Sequence, residues 1–183
     1  MKIEGIIFDL DQTLVDTKSV LKYREDRNWG KAIRNLYKTK VFPEVKEMLL
    51  NLSEKDFKYG VVTSSPRKYA EAVISHHNLC IQVLVAYQDT GKHKPLPDPI
   101  LKGIKELGLN NKNVLTVGDV ELDIIAGKSA GAITALCGWS KNDDDCKVLP
   151  DFIFNKPSEL FKDNYFNLTR YVPYHLKTYK CSN

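Results

Sequence analysis

Apolar residues along this chain follow two alternating rhythms. Short, nearly unbroken apolar runs rich in β-branched residues occupy positions 3–8, 59–63, 83–87, 114–118 and 133–136, with a weaker one at 152–154. Runs that are apolar at every position predict strands covered on both faces, as in a parallel sheet. Between them the apolar positions shift to helical spacing. Pro43 opens one such stretch with Val45, Met48, Leu49 and Leu52 on one face, and Pro66 opens another with Ser65 as its expected cap. Asp98-Pro99 starts a third, running through Ile100, Leu101, Ile104 and Leu107 to a stop at Gly108, and a fourth covers Glu121–Ser129 and ends before Gly131. Strand-sized runs alternating with helical ones predict an α/β fold with a parallel sheet.

One segment breaks the alternation. Residues 16–40 are polar and basic, with Tyr23, Trp29, Ile33, Leu36 and Tyr37 at roughly helical intervals. The pattern predicts a small helical insertion, and its place directly after the first strand puts it over the carboxyl end of the sheet, where open α/β folds bind ligands. The expected organisation is therefore a core of residues 1–15 and 41–164, a helical cap insertion of residues 16–40, and an aromatic and basic tail of residues 165–183.

Composition narrows the function classes. A chain of 183 residues with 43% hydrophobic and 27% charged residues buries one good core and is neither disordered nor fibrous. Its longest apolar runs are strand-sized and its first residues begin a strand, so neither a membrane span nor a signal peptide is expected, and the expected compartment is cytoplasmic. The net charge of +4 admits anionic substrates without demanding nucleic acid. In the tail, Tyr165, Phe166, Tyr171, Tyr174 and Tyr179 interleave with Arg170, His175, Lys177 and Lys180, a mixture that can stack on bases but is expected to pack on the body or on a partner subunit of an oligomer. Cys80, Cys137, Cys146 and Cys181 form no CxxC pair and no zinc spacing, so reduced, structural thiols are expected. His76, His77 and His93 read as surface or packing residues, and the acidic run 143–145 as a solvated loop.

The candidate chemistry sits where the strands end. The first strand runs into Asp9 and Asp11, two carboxylates two positions apart, which are costly to bury unless they meet a cation or hydrogen-bond donors; a hard cation such as Mg2+ fits that demand. The second strand ends in Thr63, Ser64 and Ser65, hydroxyls leading into a helix N-terminus able to hold an anion. Lys94 follows the third strand in a proline-stiffened loop, and the fourth strand ends in Gly118-Asp119, with Asp123 about one helical turn further on. These are the parts of phosphoryl transfer: a carboxylate to attack phosphorus, another to move a proton, a metal site, and cations and hydroxyls for the transferring oxygens.

In that order and at consecutive strand ends, the DxDxT at Asp9 to Thr13, Thr63 after an apolar strand, Lys94 before Pro95, and the GDxxxD at Gly118 to Asp123 resemble the four motifs of the haloacid dehalogenase superfamily of phosphohydrolases. The resemblance implies a Rossmann-like three-layer sandwich with a mainly parallel central sheet, like that of phosphoglycolate phosphatases but with a minimal cap. It also implies roles. Asp9 would be the nucleophile that forms an aspartyl-phosphate, and Asp11 the acid that protonates the leaving group and then activates water. Mg2+ would be held by the Asp9 carboxylate, the Asp11 main-chain carbonyl and Asp119, with Asp123 orienting its outer shell. Thr63, the Ser64 N–H and Lys94 would grip the phosphoryl oxygens. Asp11 argues against the dehalogenase branch, which lacks that second aspartate. Gln12, where glycine is common, and Val120, where a small polar residue is common, depart from the pattern.

The implied activity is a Mg2+-dependent phosphatase acting on a phosphorylated small molecule or macromolecule. The short stretch between Asp9 and Thr63 favours an open site suited to a large substrate, rimmed by Lys22, Arg24, Arg27, Lys31, Arg34, Lys38 and Lys40. The alternatives are a phosphotransferase or mutase using the same intermediate, and a phosphatase-like subunit that recognises a phosphorylated partner or a nucleic-acid end.

Overall fold

The computed structural model describes residues 2–140 and 146–161. Among them, six strands form one wholly parallel sheet: β1 (Gly5–Phe8) at its centre, β4 (Lys58–Val62) and β5 (Val83–Val85) to one side, and β6 (Val114–Gly118), β7 (Ile133–Cys137) and β8 (Phe152–Phe154) to the other. Because side chains alternate along a strand and both faces of the sheet are covered, those of β1 divide between two cores. Ile6 and Phe8 join Leu115, Val117, Val61, Tyr59 and Tyr69 on one face, while Ile7 joins Val62, Val85, Ile100, Ile104 and Ala126 on the other. That is why the strands read as unbroken apolar runs instead of alternating ones.

Four helices cover the sheet: α3 (Val45–Glu54), α4 (Arg67–His76), α5 (Asp98–Leu107) and α6 (Glu121–Ser129). The result is the Rossmann-like three-layer architecture. Helix α5 ends as expected at Gly108, whose φ of 69° is the left-handed conformation that glycine takes without penalty. Helix α4 does not start as expected. Pro66 precedes its first turn and no side chain caps it; the Ser65 hydroxyl is turned to donate to the carboxylate of Asp11 at 2.7 Å, a charge-assisted hydrogen bond.

The chain leaves the core at β2 (Val15–Asp16) and returns at β3 (Lys40–Val41), which pair antiparallel, Val15 opposite Val41 and Asp16 opposite Lys40. Between them lie α1 (Leu21–Glu25) and α2 (Trp29–Arg34), helices of 5 and 6 residues that are too short to persist without packing. Packing is what they have. Val20, Ala32 and Leu36 are buried in the same cluster as Ile6 and Phe8, the Trp29 ring lies 5.3 Å from that of Tyr69 on α4, and Thr39 Oγ1 hydrogen-bonds His77 Nε2 at 2.7 Å. The insertion is thus continuous with the main core rather than a detached lobe.

No helix among the described residues is long and apolar enough to cross a membrane. Cys137 and Cys146 are free thiols, buried and half-buried respectively, and Cys80 is exposed. The acidic run 143–145, the tail of residues 165–183 and Cys181 lie outside the described residues.

Candidate active site

At the carboxyl edge of the sheet the strand ends open into a cleft of about 520 Å³, which Asp9, Asp11, Thr63, Ser64, Lys94, Asp119 and Asp123 all line. Residues that the sequence scatters over more than a hundred positions are brought together because three neighbouring strands, β4, β1 and β6, end side by side. The Thr63 N–H still pairs with Val85 across the sheet, and its Oγ1 accepts from the Ser65 N–H at 3.1 Å, which leaves the hydroxyl proton to donate elsewhere. Ser64 is exposed in the cleft. His93 does not line it; its ring stacks on Tyr87 with centroids 3.8 Å apart.

Lys94 is the electrostatic pivot. Its ammonium donates to Asp9 Oδ1 at 2.8 Å, to Asp123 Oδ1 at 2.7 Å and to the Val62 carbonyl at 2.7 Å, using its three protons. Burial works against its charge, but the Asp123 and Asp9 carboxylates more than offset that, and the amine is held above its usual range. Asp9 is less satisfied. Burial raises its carboxyl to about 7 against the pull of Lys94, with Asp123 and Asp11 adding to the rise.

Asp119 is raised to about 8, first by burial and then by Asp9 and Asp123, although Thr13 Oγ1 donates to its Oδ1 at 3.3 Å. One oxygen from each of Asp9, Asp119 and Asp123 lies within 4.8 Å of the others. Three carboxylates this close, Asp119 and Asp123 buried and Asp9 half-buried, two of them resisting ionisation, form an all-oxygen donor set that a hard divalent cation fits. Within it, Asp123 is already engaged: Oδ1 by Lys94 and Oδ2 by the Val120 N–H at 3.4 Å. Since that donor is a backbone amide, a valine at 120 supplies it as well as a polar residue would.

Gly118 makes this approach possible. A Cβ there would overlap both Cβ and Oδ2 of Asp123, closer than any real contact tolerates. Gly118→Ala therefore pushes Asp123 off Lys94, and phosphoester turnover falls by roughly 100-fold, the usual cost of an ångström's misplacement. Steady-state kinetics beside circular dichroism check this; a Gly118→Ala protein with full activity would show that the close packing of Asp123 is dispensable.

Asp11 carries a network that sequence reasoning missed. Among the described residues its carboxylate takes four donors: Thr17 Oγ1 at 2.9 Å and Tyr69 Oη at 3.0 Å on Oδ1, Ser65 Oγ at 2.7 Å and Arg24 Nη2 at 3.0 Å on Oδ2. Burial and the Asp11 charge keep the Tyr69 phenol protonated far above its usual range, so it can only donate here. Arg24 comes from α1, and of the cations expected to rim the site it alone lines the cleft. Lys18, Leu21, Glu25 and Trp29 line it too, so the insertion forms one wall of the site. Gln12 explains itself structurally. Its φ of 64° is a conformation glycine enters at less cost, but its buried carboxamide, turned so that Oε1 faces the amides of Thr17 and Lys18 at 2.9 Å, anchors the start of the insertion.

Residues 22–137 match the model of the haloacid dehalogenase-like hydrolase family. A Caldanaerobacter subterraneus protein provisionally named pyrophosphatase PpaX is 29% identical over an alignment of 209 positions, longer than this chain, that covers 88% of this chain and 94% of the relative. The phosphoglycolate phosphatase of Aquifex aeolicus is 36% identical over 126 residues, covering 68% of this chain and 59% of its own length. Among solved structures, a Lactobacillus plantarum protein provisionally assigned as a phosphoglycolate phosphatase superposes with a TM-score of 0.77 at 18% identity, over 87% of this chain and 98% of that one, a likeness of fold. The motif residues gathered in one cleft, the sheet that places them and the match over residues 22–137 agree: the chain belongs to the haloacid dehalogenase-like hydrolase family.

Proposed function

We propose that this protein is a Mg2+-dependent phosphatase that works through an aspartyl-phosphate on Asp9. The observation that carries the reading is the shared ammonium of Lys94, which bridges Asp9 and Asp123 while both carboxylates stay within 4.8 Å of Asp119. A nucleophile, a neutralising cation and a metal-type donor set thus occupy one cleft.

Asp9 attacks phosphorus and the bond from phosphorus to the leaving oxygen breaks, with Asp11 delivering a proton to that oxygen. Asp11 then takes a proton from water, the water oxygen attacks the same phosphorus, and Asp9 departs as a carboxylate. The net change is ester plus water to alcohol plus phosphate. Lys94, the Thr63 hydroxyl and the Ser64 N–H hold the phosphoryl oxygens through both steps. Asp9, Asp119 and the Asp11 main-chain carbonyl would hold a Mg2+ ion, which would supply further neutralisation of phosphoryl charge. Asp123 orients the group around it by holding Lys94.

The substrate we infer is small, in place of the large one that a short insertion suggests on paper. The insertion walls the cleft with Leu21, Arg24 and Trp29, and the relatives' names refer to phosphoglycolate and pyrophosphate, both compact. Phosphate release from p-nitrophenyl phosphate, pyrophosphate and a panel of phosphorylated metabolites tests this. Release is expected with Mg2+, abolished by EDTA and restored by added Mg2+; an absence of Mg2+-dependent release from every phosphoester tried sinks the phosphatase reading.

A further inference from the structure

Arg24 is placed oddly for a residue whose only task is to hold Asp11. Its Nη2 pairs with Asp11 Oδ2 at 3.0 Å and its Nη1 donates to Thr17 Oγ1 at 2.9 Å, yet its Nε is buried with no partner among the described residues. Its side chain is only 18% exposed, and its guanidinium lies 5.7 Å from the centre of the Tyr69 ring, which braces it. A buried guanidinium donor without an acceptor costs free energy that an incoming acceptor recovers. At the same time Asp11 is saturated. Its two oxygens face Thr17, Tyr69, Ser65 and Arg24, so a leaving group can reach it only when one donor yields. Of these four, Arg24 carries a full charge and already lines the open cleft. An anion there offers it a better partner than a carboxylate it shares with three other donors.

We infer that Arg24 reads a second anionic group on the leaving side of the substrate, exchanging Asp11 for that anion and so freeing an edge of Asp11 for the leaving oxygen. The inference deepens the proposed function and rests on it for the role of Asp11. It also fixes the substrate class. Because Arg24 sits 3.0 Å from the residue that serves the leaving oxygen, the second anion must lie within a few bonds of the scissile one. A phosphoanhydride or a phosphate ester of a short hydroxy acid meets that limit; a phosphate on a long or neutral alcohol does not. The planar fork of the guanidinium suits either a phosphoryl or a carboxylate group, using Nε together with one Nη.

Binding separates this claim from catalysis. In Mg2+-loaded Asp9→Asn protein, which cannot turn over, calorimetry compares 2-phosphoglycolate with ethyl phosphate, a pair of similar length that differs by the carboxylate. The expected preference for phosphoglycolate is roughly 10- to 100-fold. Adding Arg24→Met collapses it to within about threefold, and Arg24→Lys, which keeps the charge but loses the fork, leaves an intermediate ratio. A preference that survives Arg24→Met in a protein with a native circular dichroism spectrum overturns the inference, as does a parent that binds both ligands alike. If the wild-type chain releases phosphate from no phosphoester in the panel while the Arg24-dependent preference holds, the phosphatase reading falls and the anion reader stands.

Discussion

Asp9→Asn lowers phosphate release by a factor on the order of 10⁴ or more, the scale seen when a nucleophile is removed. The substitution keeps the shape of the side chain and removes its charge, so the phosphoryl group still binds but has nothing to attack it. An Asp9→Asn protein retaining a tenth of the activity would show that Asp9 is not the nucleophile. The same substitution has an opposite effect on stability without metal. An ordinary aspartate keeps its proton only below about 4, whereas burial holds that of Asp9 up to about 7. Between those values the native protein binds more protons than the unfolded chain, and the contribution of Asp9 to stability falls as pH rises through the window. Asparagine cannot ionise and escapes this loss. In EDTA, the urea midpoint of Asp9→Asn therefore gains on that of the parent from pH 4 to pH 7, and a constant difference across the window would contradict the account. Activity is maintained here at a cost in stability, which a metal ion held by the same carboxylates would offset.

Lys94→Met is expected to cause the largest loss of stability of any single change in the site. The ammonium is almost fully enclosed and neutralises two buried carboxylates while satisfying the Val62 carbonyl. Methionine fills the same space but leaves Asp9 and Asp123 facing each other unpaired, at a cost of about 3–5 kcal/mol. Activity falls with it, by roughly 100- to 1,000-fold, through lost stabilisation of the transferring phosphoryl oxygens. Adding Asp123→Asn distinguishes the two effects. The second substitution removes one of the stranded charges, so the double variant regains much of the lost urea resistance and none of the lost activity. If stability were strictly additive across the pair, the coupling through Lys94 would be absent.

The sheet is legible in the sequence because its inner strands β1, β4 and β6 are almost wholly buried and carry few polar positions to confuse the pattern, and the groups at their ends fall at fixed offsets from them. Arg24 is legible only as one of seven cations expected to rim the site. It lies on α1, which at 5 residues is too short for its periodicity to fix which side faces in, and in sequence it resembles Lys22 and Arg27 beside it. Ser65 reads wrongly as a helix cap for a related reason. Short-range rules describe the neighbours a residue has along the chain, while its actual partner, Asp11, stands 54 positions away. Tyr69 lies 58 positions from the same carboxylate, and its neighbours along the chain give no sign of that partner. Gln12 stands out as an exception to its motif, but its reason lies in the amides of Thr17 and Lys18, which only the folded loop brings to its carboxamide.

The pairing of β2 with β3 gives this enzyme a splice point. Val15 and Val41 stand opposite one another, so everything between them begins and ends in the same place. Lengthening a closed loop is cheap, about 0.6 kcal/mol for each doubling. A replacement segment has to supply apolar groups where Val20, Ala32 and Leu36 now seal the core, and donors to Asp11 where Thr17 and Arg24 now stand. Descendants of such a chain can therefore trade one substrate preference for another in a single genetic exchange, with the reaction itself inherited intact.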